Sequence, residues 1–146
     1  MSEEISRGEL LSGLTQLGRG ATRPTRQLET FPNQHAGRRY TVTLASAEFT
    51  CLCPATGQPD FATIAIRYVP DQRIVESKSL KLYLWSFRDE GHFHEHVTNV
   101  ILDDLVKALD PWSCEVTGAF NVRGGISITV EAQYDRATPS PSTDPG

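Results

Sequence analysis

A cysteine and an aspartate stand at the two ends of one short segment rich in proline and glycine, residues 53–60, with the sequence Cys-Pro-Ala-Thr-Gly-Gln-Pro-Asp. A cysteine thiolate is the strongest nucleophile among the common side chains, and a nearby carboxylic acid can protonate the group that its attack makes basic. A loop of this kind could aim Cys53 and Asp60 at one reacting atom. The same pair also fits a buried cysteine beside a turn aspartate.

Three histidines and a carboxylate form a second polar cluster in the sequence Gly-His-Phe-His-Glu-His, residues 91–96. His92 and His96 are four residues apart, which places them on one face of a helix, and they could join Cys51 or Cys53 around a zinc ion. Neither a Cys-x-x-Cys pair nor a His-Glu-x-x-His motif accompanies them, and this weakens the zinc interpretation.

The same cluster has two other interpretations. Glu95 could accept hydrogen bonds from the N–H groups of a polar heterocycle while His94 moves protons, because an ionised carboxylate only accepts and an imidazole titrates near neutral pH. Phe93 could stack on such a ring or belong to the core. Alternatively, the whole cluster is solvated and structural.

Residues 76–83, Glu-Ser-Lys-Ser-Leu-Lys-Leu-Tyr, are expected to open a helix, with Ser77 as its N-cap. The free backbone amides of a helix N-terminus, together with Lys78 and Lys81, suit a phosphate group. The lysines could equally well solvate a surface helix. Glu76 lies where a strand is predicted to turn into this helix, so it is also a candidate for the site.

Apolar periodicity predicts six elements in the order strand, strand, helix, helix, strand, strand. Hairpin connections favour one antiparallel sheet covered on one face by the two helices, an α+β fold. Exposed sheet edges favour self-association that continues the sheet into a ring. The positions that define the elements are Tyr40, Val42 and Leu44; Ile64, Ile66 and Tyr68; Leu80, Tyr83, Leu84 and Phe87; Val97, Ile101, Leu105 and Leu109; Val116 and Phe120; and Ile126, Ile128 and Val130, with a turn at Arg123-Gly124-Gly125.

The chain has 146 residues and a formal net charge of −4, which fits one domain and argues against a nucleic-acid-binding surface. We expect the domain to span residues 26–136, between a flexible N-terminal segment, 1–25, and a disordered C-terminal segment, 137–146. The sequence has no membrane-spanning run and no signal-peptide pattern. Three cysteines, an odd number, fit a reducing compartment, so the expected location is the cytoplasm.

Three motifs in the same order resemble the short form of the NADPH-dependent 7-cyano-7-deazaguanine reductases (QueF family), the nitrile reductases of queuosine biosynthesis. The motifs are Cys53-Pro-x-Thr-x-Gln-Pro-Asp60, Glu76-Ser-Lys-Ser-Leu-Lys-Leu-Tyr83 and Phe93-His-Glu95. The resemblance covers residues 40–134. It implies the tunnelling fold (T-fold), with subunits in the order β-β-α-α-β-β that assemble into homo-oligomers, expected to be pentameric rings stacked into a decamer.

The resemblance also implies a role for each matching residue. Cys53 is the nucleophile that forms a covalent thioimide with the nitrile of the deazapurine substrate, and Asp60 is the general acid. The chemistry requires the pKa values of this thiol and this carboxyl to be pushed towards the working pH. The remaining substrate residues are Val75, Glu76 and Ser77, which border the substrate, and His94 and Glu95, of which His94 also counts as catalytic.

The cofactor implied is NADPH, two molecules per nitrile, with its phosphates on Lys78 and Lys81. No Gly-x-Gly-x-x-Gly motif follows a strand, so the cofactor should lie in a cleft, at a subunit interface, rather than on a dinucleotide-binding domain. No metal, membrane or direct nucleic-acid partner is expected. The alternatives are a zinc-dependent, GTP-cyclohydrolase-like enzyme and a non-catalytic purine- or pterin-binding module of the same fold.

Overall fold

A computed structural model describes residues 4–15 and 23–136. A four-stranded antiparallel sheet and two long helices make up most of these residues. In chain order the elements are α1 (Arg7–Leu11), β1 (Thr30–Pro32), β2 (Val42–Leu52), β3 (Pro59–Val69), β4 (Arg73–Val75), α2 (Ser77–Trp85), α3 (His94–Leu109), β5 (Ser113–Arg123) and β6 (Ile126–Asp135). The sheet has the order β2-β3-β5-β6, so the α+β prediction is confirmed.

Helices α2 and α3 cover one face of this sheet, where the core lies. Apolar residues recur every four positions along α3 and form one buried stripe: Val97, Ile101, Leu105 and Leu109. Burying a side chain of this size stabilises the fold by about 1.5–3 kcal/mol. Gly118 of β5 allows the close approach of α3, because a Cβ atom at this position would lie 2.7 Å from the hydroxyl oxygen of Thr98.

Two hairpins bring distant parts of the chain to the same end of the sheet. Strands β2 and β3 pair with Cys51 opposite Asp60, and the short segment between them contains Cys53. Strands β5 and β6 are joined through Gly124 and Gly125, which adopt φ values of 57° and 78°. Such left-handed conformations are typical of the tight turns that match the twist of a hairpin.

Helix α2 begins differently from the prediction. Glu76, not Ser77, is the N-cap, and its carboxylate accepts hydrogen bonds from the amides of Lys78 and Ser79 at 2.8 and 2.7 Å. A carboxylate has two oxygens that can satisfy two free amides at once, and its charge also suits the positive end of the helix. Ser77 becomes the first helical residue, with an exposed side chain.

Two other features are absent from the prediction. Strands β1 and β4, of three residues each, form a separate antiparallel pair in which Thr30 faces Val75. Part of the N-terminal segment is helical, since α1 forms with Ser6 as its N-cap, although none of the residues of α1 is buried. The predicted C-terminal segment, 137–146, lies outside the described residues. None of the described helices is long and apolar enough to cross a lipid bilayer.

Candidate active site

Cys53 lies in a closed loop immediately after β2. Its amide donates to the carbonyl of Gln58 at 2.8 Å, and its carbonyl accepts from the amide of Gly57 at 2.8 Å. Gly57 adopts a φ of 73°, a left-handed conformation that closes the turn. The loop therefore fixes the backbone of Cys53 on both sides while its side chain stays partly exposed.

The pKa of the Cys53 thiol is lowered by this loop. The largest cause is a hydrogen bond from the hydroxyl of Thr56, followed by hydrogen bonds from the backbone of Thr56 and of Ala55. Partial burial and the charge of Asp60 act in the opposite direction but are weaker. Donors directed at sulfur favour the anion, so the loop favours the thiolate, which is the nucleophilic form.

The other two thiols are in a different environment. Cys51 and Cys114 are buried and free. Burial is the main cause that raises the pKa of Cys51 to about 11 and that of Cys114 to about 12. Cys53 is therefore the only one of the three thiols suited to nucleophilic attack.

Asp60 is the second residue of β3, and only 4% of its surface is exposed. One carboxylate oxygen is 3.1 Å from Nε2 of His94, and the other pairs with the guanidinium of Arg123. The guanidinium also donates to the side-chain carbonyl of Gln58 in the Cys53 loop. These contacts hold a buried carboxylate between an imidazole and a permanent cation, near enough to Cys53 for its charge to act on the thiol.

His94 is the first residue of α3, and its ring is fixed from two directions. Nε2 faces Asp60, while the ring stacks on Phe120 of β5 with 3.9 Å between centroids and 8° between planes. The imidazole can therefore exchange a proton with the carboxyl of Asp60 without reorienting. The predicted grouping of Cys53, Asp60 and His94 is consistent with this geometry.

Glu95 follows in the first turn of α3 and is exposed. Among the residues that the structure describes, its carboxylate makes neither a hydrogen bond nor an ion pair. An ionised carboxylate without internal partners can accept hydrogen bonds from two N–H groups of a ligand at once. Phe93 precedes His94 and Glu95 and is 65% exposed, so it is not a core residue.

The other three predicted substrate residues lie elsewhere. The amide of Val75 donates to the hydroxyl of Tyr68. Tyr68 lies eight residues after Asp60 on β3, and eight residues of extended strand span roughly 26 Å. Val75 and Glu76 are buried, and the Glu76 carboxylate is already used as the N-cap of α2. Within one chain, the structure therefore separates the segment 75–77 from Cys53.

A groove of about 820 Å³ lies between α2 and the edge strand β2. Its walls include the apolar side chains of Leu44 and Leu80, and Ser77, Lys81 and Arg88 also line it. Lys78 is not among the lining residues, and neither are Cys53, Asp60 and His94. The groove thus opens next to the predicted cofactor residue Lys81, and Cys53 does not line it.

The zinc interpretation gains no support from the geometry. His92 and His96 stack with 5.8 Å between ring centroids, but Nε2 of His92 is 2.8 Å from a carboxylate oxygen of Glu90. In the described ranges, 4–15 and 23–136, no group of three or more histidine, cysteine and carboxylate side chains is arranged to hold a metal ion.

Three residues of the site have roles that the sequence did not indicate: Thr56, Phe120 and Arg123. Thr56 lies in the first motif, so its hydroxyl was a visible signal. Phe120 was assigned only to a strand, and Arg123 only to a turn. The contacts of Phe120 and Arg123 depend on the pairing of β3 with β5, which no local pattern specifies.

The fold is that of the tunnelling-fold class, and the candidate site contains a thiol of lowered pKa, Cys53. A solved structure described as the archaeosine synthase QueF-Like in the apo form shares this fold, with a TM-score of 0.62, 21% identity, and coverage of 68% of this chain and 96% of the other. The model of the family described as QueF-like protein matches residues 59–139.

Similar proteins identify the family within this class. A relative from Syntrophus aciditrophicus is 67% identical over 88% of this chain and 91% of its own length, and one from Thermomicrobium roseum is 58% identical over 83% and 94%. Both are named NADPH-dependent 7-cyano-7-deazaguanine reductase. The chain belongs to this family, which confirms the resemblance of the three motifs.

Proposed function

We propose that this protein reduces the nitrile of 7-cyano-7-deazaguanine to the aminomethyl group with NADPH, in the biosynthesis of the tRNA nucleoside queuosine. The observation that carries the proposal is a thiol of lowered pKa, Cys53, beside the buried and doubly paired carboxylate of Asp60. The names of the relatives support the substrate and the cofactor. Three free thiols support a reducing compartment, the cytoplasm.

The first step is the addition of the Cys53 thiolate to the nitrile carbon. One bond of the carbon–nitrogen triple bond breaks, the nitrogen takes one proton, and a neutral thioimide remains on the sulfur. Asp60 delivers this proton, and His94, 3.1 Å away, passes the next proton to it. Arg123 keeps the carboxyl in place through its contact with the second oxygen.

The reduction then takes place in two stages. NADPH, when bound, supplies one hydride in each stage. Hydride adds to the thioimide carbon, and the Cys53 thiolate leaves, so the substrate becomes an imine. A second hydride and a second proton give the amine. In total, one nitrile, two NADPH and two protons give one aminomethyl group and two NADP⁺, and Cys53 is regenerated.

Glu95 sets the specificity for the base in this proposal. A guanine-like ring presents a ring N–H and an exocyclic amine on one edge, and a carboxylate can accept from both. Glu95 is exposed in the first turn of α3, directly after His94, so a base bound by it lies next to the proton-transfer pair. An analogue without these donors should therefore bind weakly.

The start of α2 supplies the contacts to the cofactor. Lys81 and Ser77 line the groove between α2 and β2, and Lys78 lies in the first turn of the same helix. These two ammonium groups suit the phosphates of NADPH, including the additional phosphate that distinguishes it from NADH. The residues present therefore fit the cofactor without a dinucleotide-binding domain.

The complete site is formed by two copies of the chain in a homo-oligomer, for which we favour pentameric rings stacked into a decamer. The separation of two parts of the predicted site supports a shared site. Val75 contacts Tyr68, which is roughly 26 Å of strand away from Asp60, so one deazaguanine cannot touch both Val75 and Asp60 of the same chain. The edge strands β2 and β6 of the sheet support it as well, since their outer edges are unpaired among the described strands. Val75, Glu76 and Ser77 of one copy would then face Cys53 and Glu95 of the next.

Mixing two inactive variants tests this composite site. Cys53→Ala removes the nucleophile, and Lys81→Glu reverses the charge in the other half of the site. If sites are shared, subunits mixed before refolding regain part of the activity, because some interfaces combine two intact halves. Mixtures that stay inactive while forming mixed oligomers of the native size would contradict the shared site.

Turnover tests the function itself. The purified, reduced protein is incubated with 7-cyano-7-deazaguanine, NADPH oxidation is followed by absorbance, and the product is identified by mass. We expect two NADPH to be oxidised for each nitrile consumed, with the aminomethyl base as product. Metal content is measured on the same sample, since stoichiometric zinc with no NADPH oxidation would favour a hydrolase. Tight binding of the base without turnover would favour a binding module.

A further inference from the structure

The segment that precedes β1, residues 23–29, runs along helix α2, and we call it the strap. The amide of Thr25 donates to the carbonyl of Leu82 at 3.3 Å, and the amide of Glu29 donates to the hydroxyl of Ser79 at 3.0 Å. Leu28 packs against the core between these two points. The strap is therefore attached to α2 at several positions along its length.

Arg26 of the strap reaches past α2 to the loop that follows it. Its guanidinium lies 3.7 Å from the ring centroid of the buried Phe87 and pairs with the carboxylate of Glu90. The other oxygen of Glu90 is 2.8 Å from Nε2 of His92. The pKa of Glu90 is lowered, first by His92 and further by Arg26, so this carboxylate is held in its charged form between two donors.

The loop held in this way, residues 86–92, contacts the chain on both sides of the nucleophile. The amide of Leu52 donates to the carbonyl of Glu90 at 2.9 Å, and the amide of His92 donates to the carbonyl of Leu52 at 3.0 Å. Gly91 packs against Pro54 so closely that a Cβ atom would lie 3.2 Å from the Cα of that proline. Leu52 and Pro54 flank Cys53 directly.

His94 and Glu95, at the start of α3, follow the end of this loop by two and three residues. We infer that Arg26 is a positioning residue: by clamping Glu90 it keeps the Cys53 loop in register with the start of α3. The inference rests on the proposed function for its effect on turnover. The strap lies outside the four-stranded sheet, the two long helices and the three motifs.

Replacing Arg26 should lower kcat, because the reaction requires Cys53, Asp60 and His94 to be aligned with the substrate. Loss of the clamp lets the nucleophile and the proton-transfer pair shift relative to each other, and a misplacement of about 1 Å can cost about 100-fold in rate. We therefore expect Arg26→Ala to lower kcat by roughly 10-fold to 100-fold while KM for NADPH changes little. Arg26→Lys keeps a cation near Glu90 and Phe87, and should recover part of the loss.

Hydrogen exchange tests the inference independently of turnover. In Arg26→Ala the amides of Leu52 and His92 should exchange faster, while those of Ile101 and Leu105 in the middle of α3 keep their wild-type rates. Arg23→Ala is the matched control, because Arg23 lies in the same strap and makes no side-chain hydrogen bond or ion pair within the described part of the chain. It should change neither exchange nor kcat.

The rate of Cys53 alkylation at fixed pH is the third measurement, and it separates failure of this inference from failure of the proposed function. If the wild type has no reductase activity, faster exchange at Leu52 and His92 together with an altered alkylation rate in Arg26→Ala still supports the positioning role. Wild-type exchange and alkylation in Arg26→Ala would overturn it. Faster exchange with unchanged alkylation and kcat, or equal losses in Arg23→Ala, would overturn it as well.

Discussion

The ring of His94 lies flat on the ring of Phe120, with 3.9 Å between centroids and 8° between planes. Phe120 is buried in β5, and β5 is paired with the strand that carries Asp60. The platform under the imidazole and the carboxylate that faces its Nε2 therefore belong to adjacent strands. The stacking contact therefore ties the start of α3 to the strand that lies beside the one carrying Asp60.

Replacing Phe120 should reduce kcat, whereas a destabilising substitution elsewhere in the core should not. We expect Phe120→Leu to lower the free energy of unfolding by roughly 1–3 kcal/mol and to lower kcat by about 10-fold, because the ring of His94 gains freedom to rotate away from Asp60. Leu105→Ala, buried further along α3, is the control: it should cost about 2–5 kcal/mol of stability and leave kcat near the wild-type value. Denaturant unfolding and steady-state kinetics on both variants decide the point; equal losses of kcat would contradict a role specific to Phe120.

The hydroxyl of Thr56 is the largest contribution to the lowered pKa of Cys53. A donor to sulfur stabilises the thiolate, so Thr56→Val should raise the pKa towards that of an ordinary cysteine and shift the pH profile of Cys53 alkylation to higher pH. At a pH below the thiol pKa, Thr56→Val should therefore be alkylated more slowly than the wild type, because less thiolate is present. Thr56→Ser retains the hydroxyl and should keep the wild-type profile. A profile that is the same in all three proteins would show that the hydroxyl does not act on the sulfur.

The three thiols should differ sharply in reactivity. Burial raises the pKa of Cys51 to about 11 and that of Cys114 to about 12, whereas hydrogen bonds lower the pKa of Cys53. Iodoacetamide at neutral pH should therefore add once to the folded protein, at Cys53, and three times after unfolding. Mass spectrometry of the intact protein and of its peptides gives both results. Fast labelling of Cys51 in the folded state would be incompatible with its burial.

Glu95 should determine affinity for the base. Hydrogen bonds to a charged group contribute about 1.5–3 kcal/mol, so Glu95→Gln should weaken binding of the aminomethyl base by roughly 10-fold to 100-fold. Calorimetry with this product measures the effect without the covalent step. Glu131→Gln, an exposed carboxylate on the edge strand β6, is the control and should bind normally. Unchanged affinity in Glu95→Gln would contradict this role and would show that other residues recognise the base.

Much of the fold could be predicted because its elements are long and periodic. The spacing of Val97, Ile101, Leu105 and Leu109 is helical, and all four are buried in α3. Cys53 and Asp60 belong to one hairpin, since β2 and β3 are neighbours in sequence and in the sheet. Local patterns sufficed where the contacts themselves are local or belong to one hairpin.

The errors have physical reasons as well. Serine and glutamate can both cap a helix, and the sequence does not show that Glu76 would be buried where two amides need acceptors. Strands of three residues, such as β1, are too short for alternation to be visible. The contacts of Arg26 with Glu90 and of Arg123 with Asp60 span 64 and 63 residues, so they arise only once the sheet and helices are assembled.

The covalent bond between Cys53 and the substrate is the central claim, and mass spectrometry tests it most directly. The protein is mixed with 7-cyano-7-deazaguanine without NADPH, and its intact mass is measured before peptide mapping. Because addition to a nitrile expels no group, the protein should gain the full mass of the substrate, on the peptide that contains Cys53, and lose it again when NADPH is added. Cys53→Ala should gain nothing. An unmodified Cys53 in a protein that binds and reduces the nitrile would contradict the thioimide mechanism.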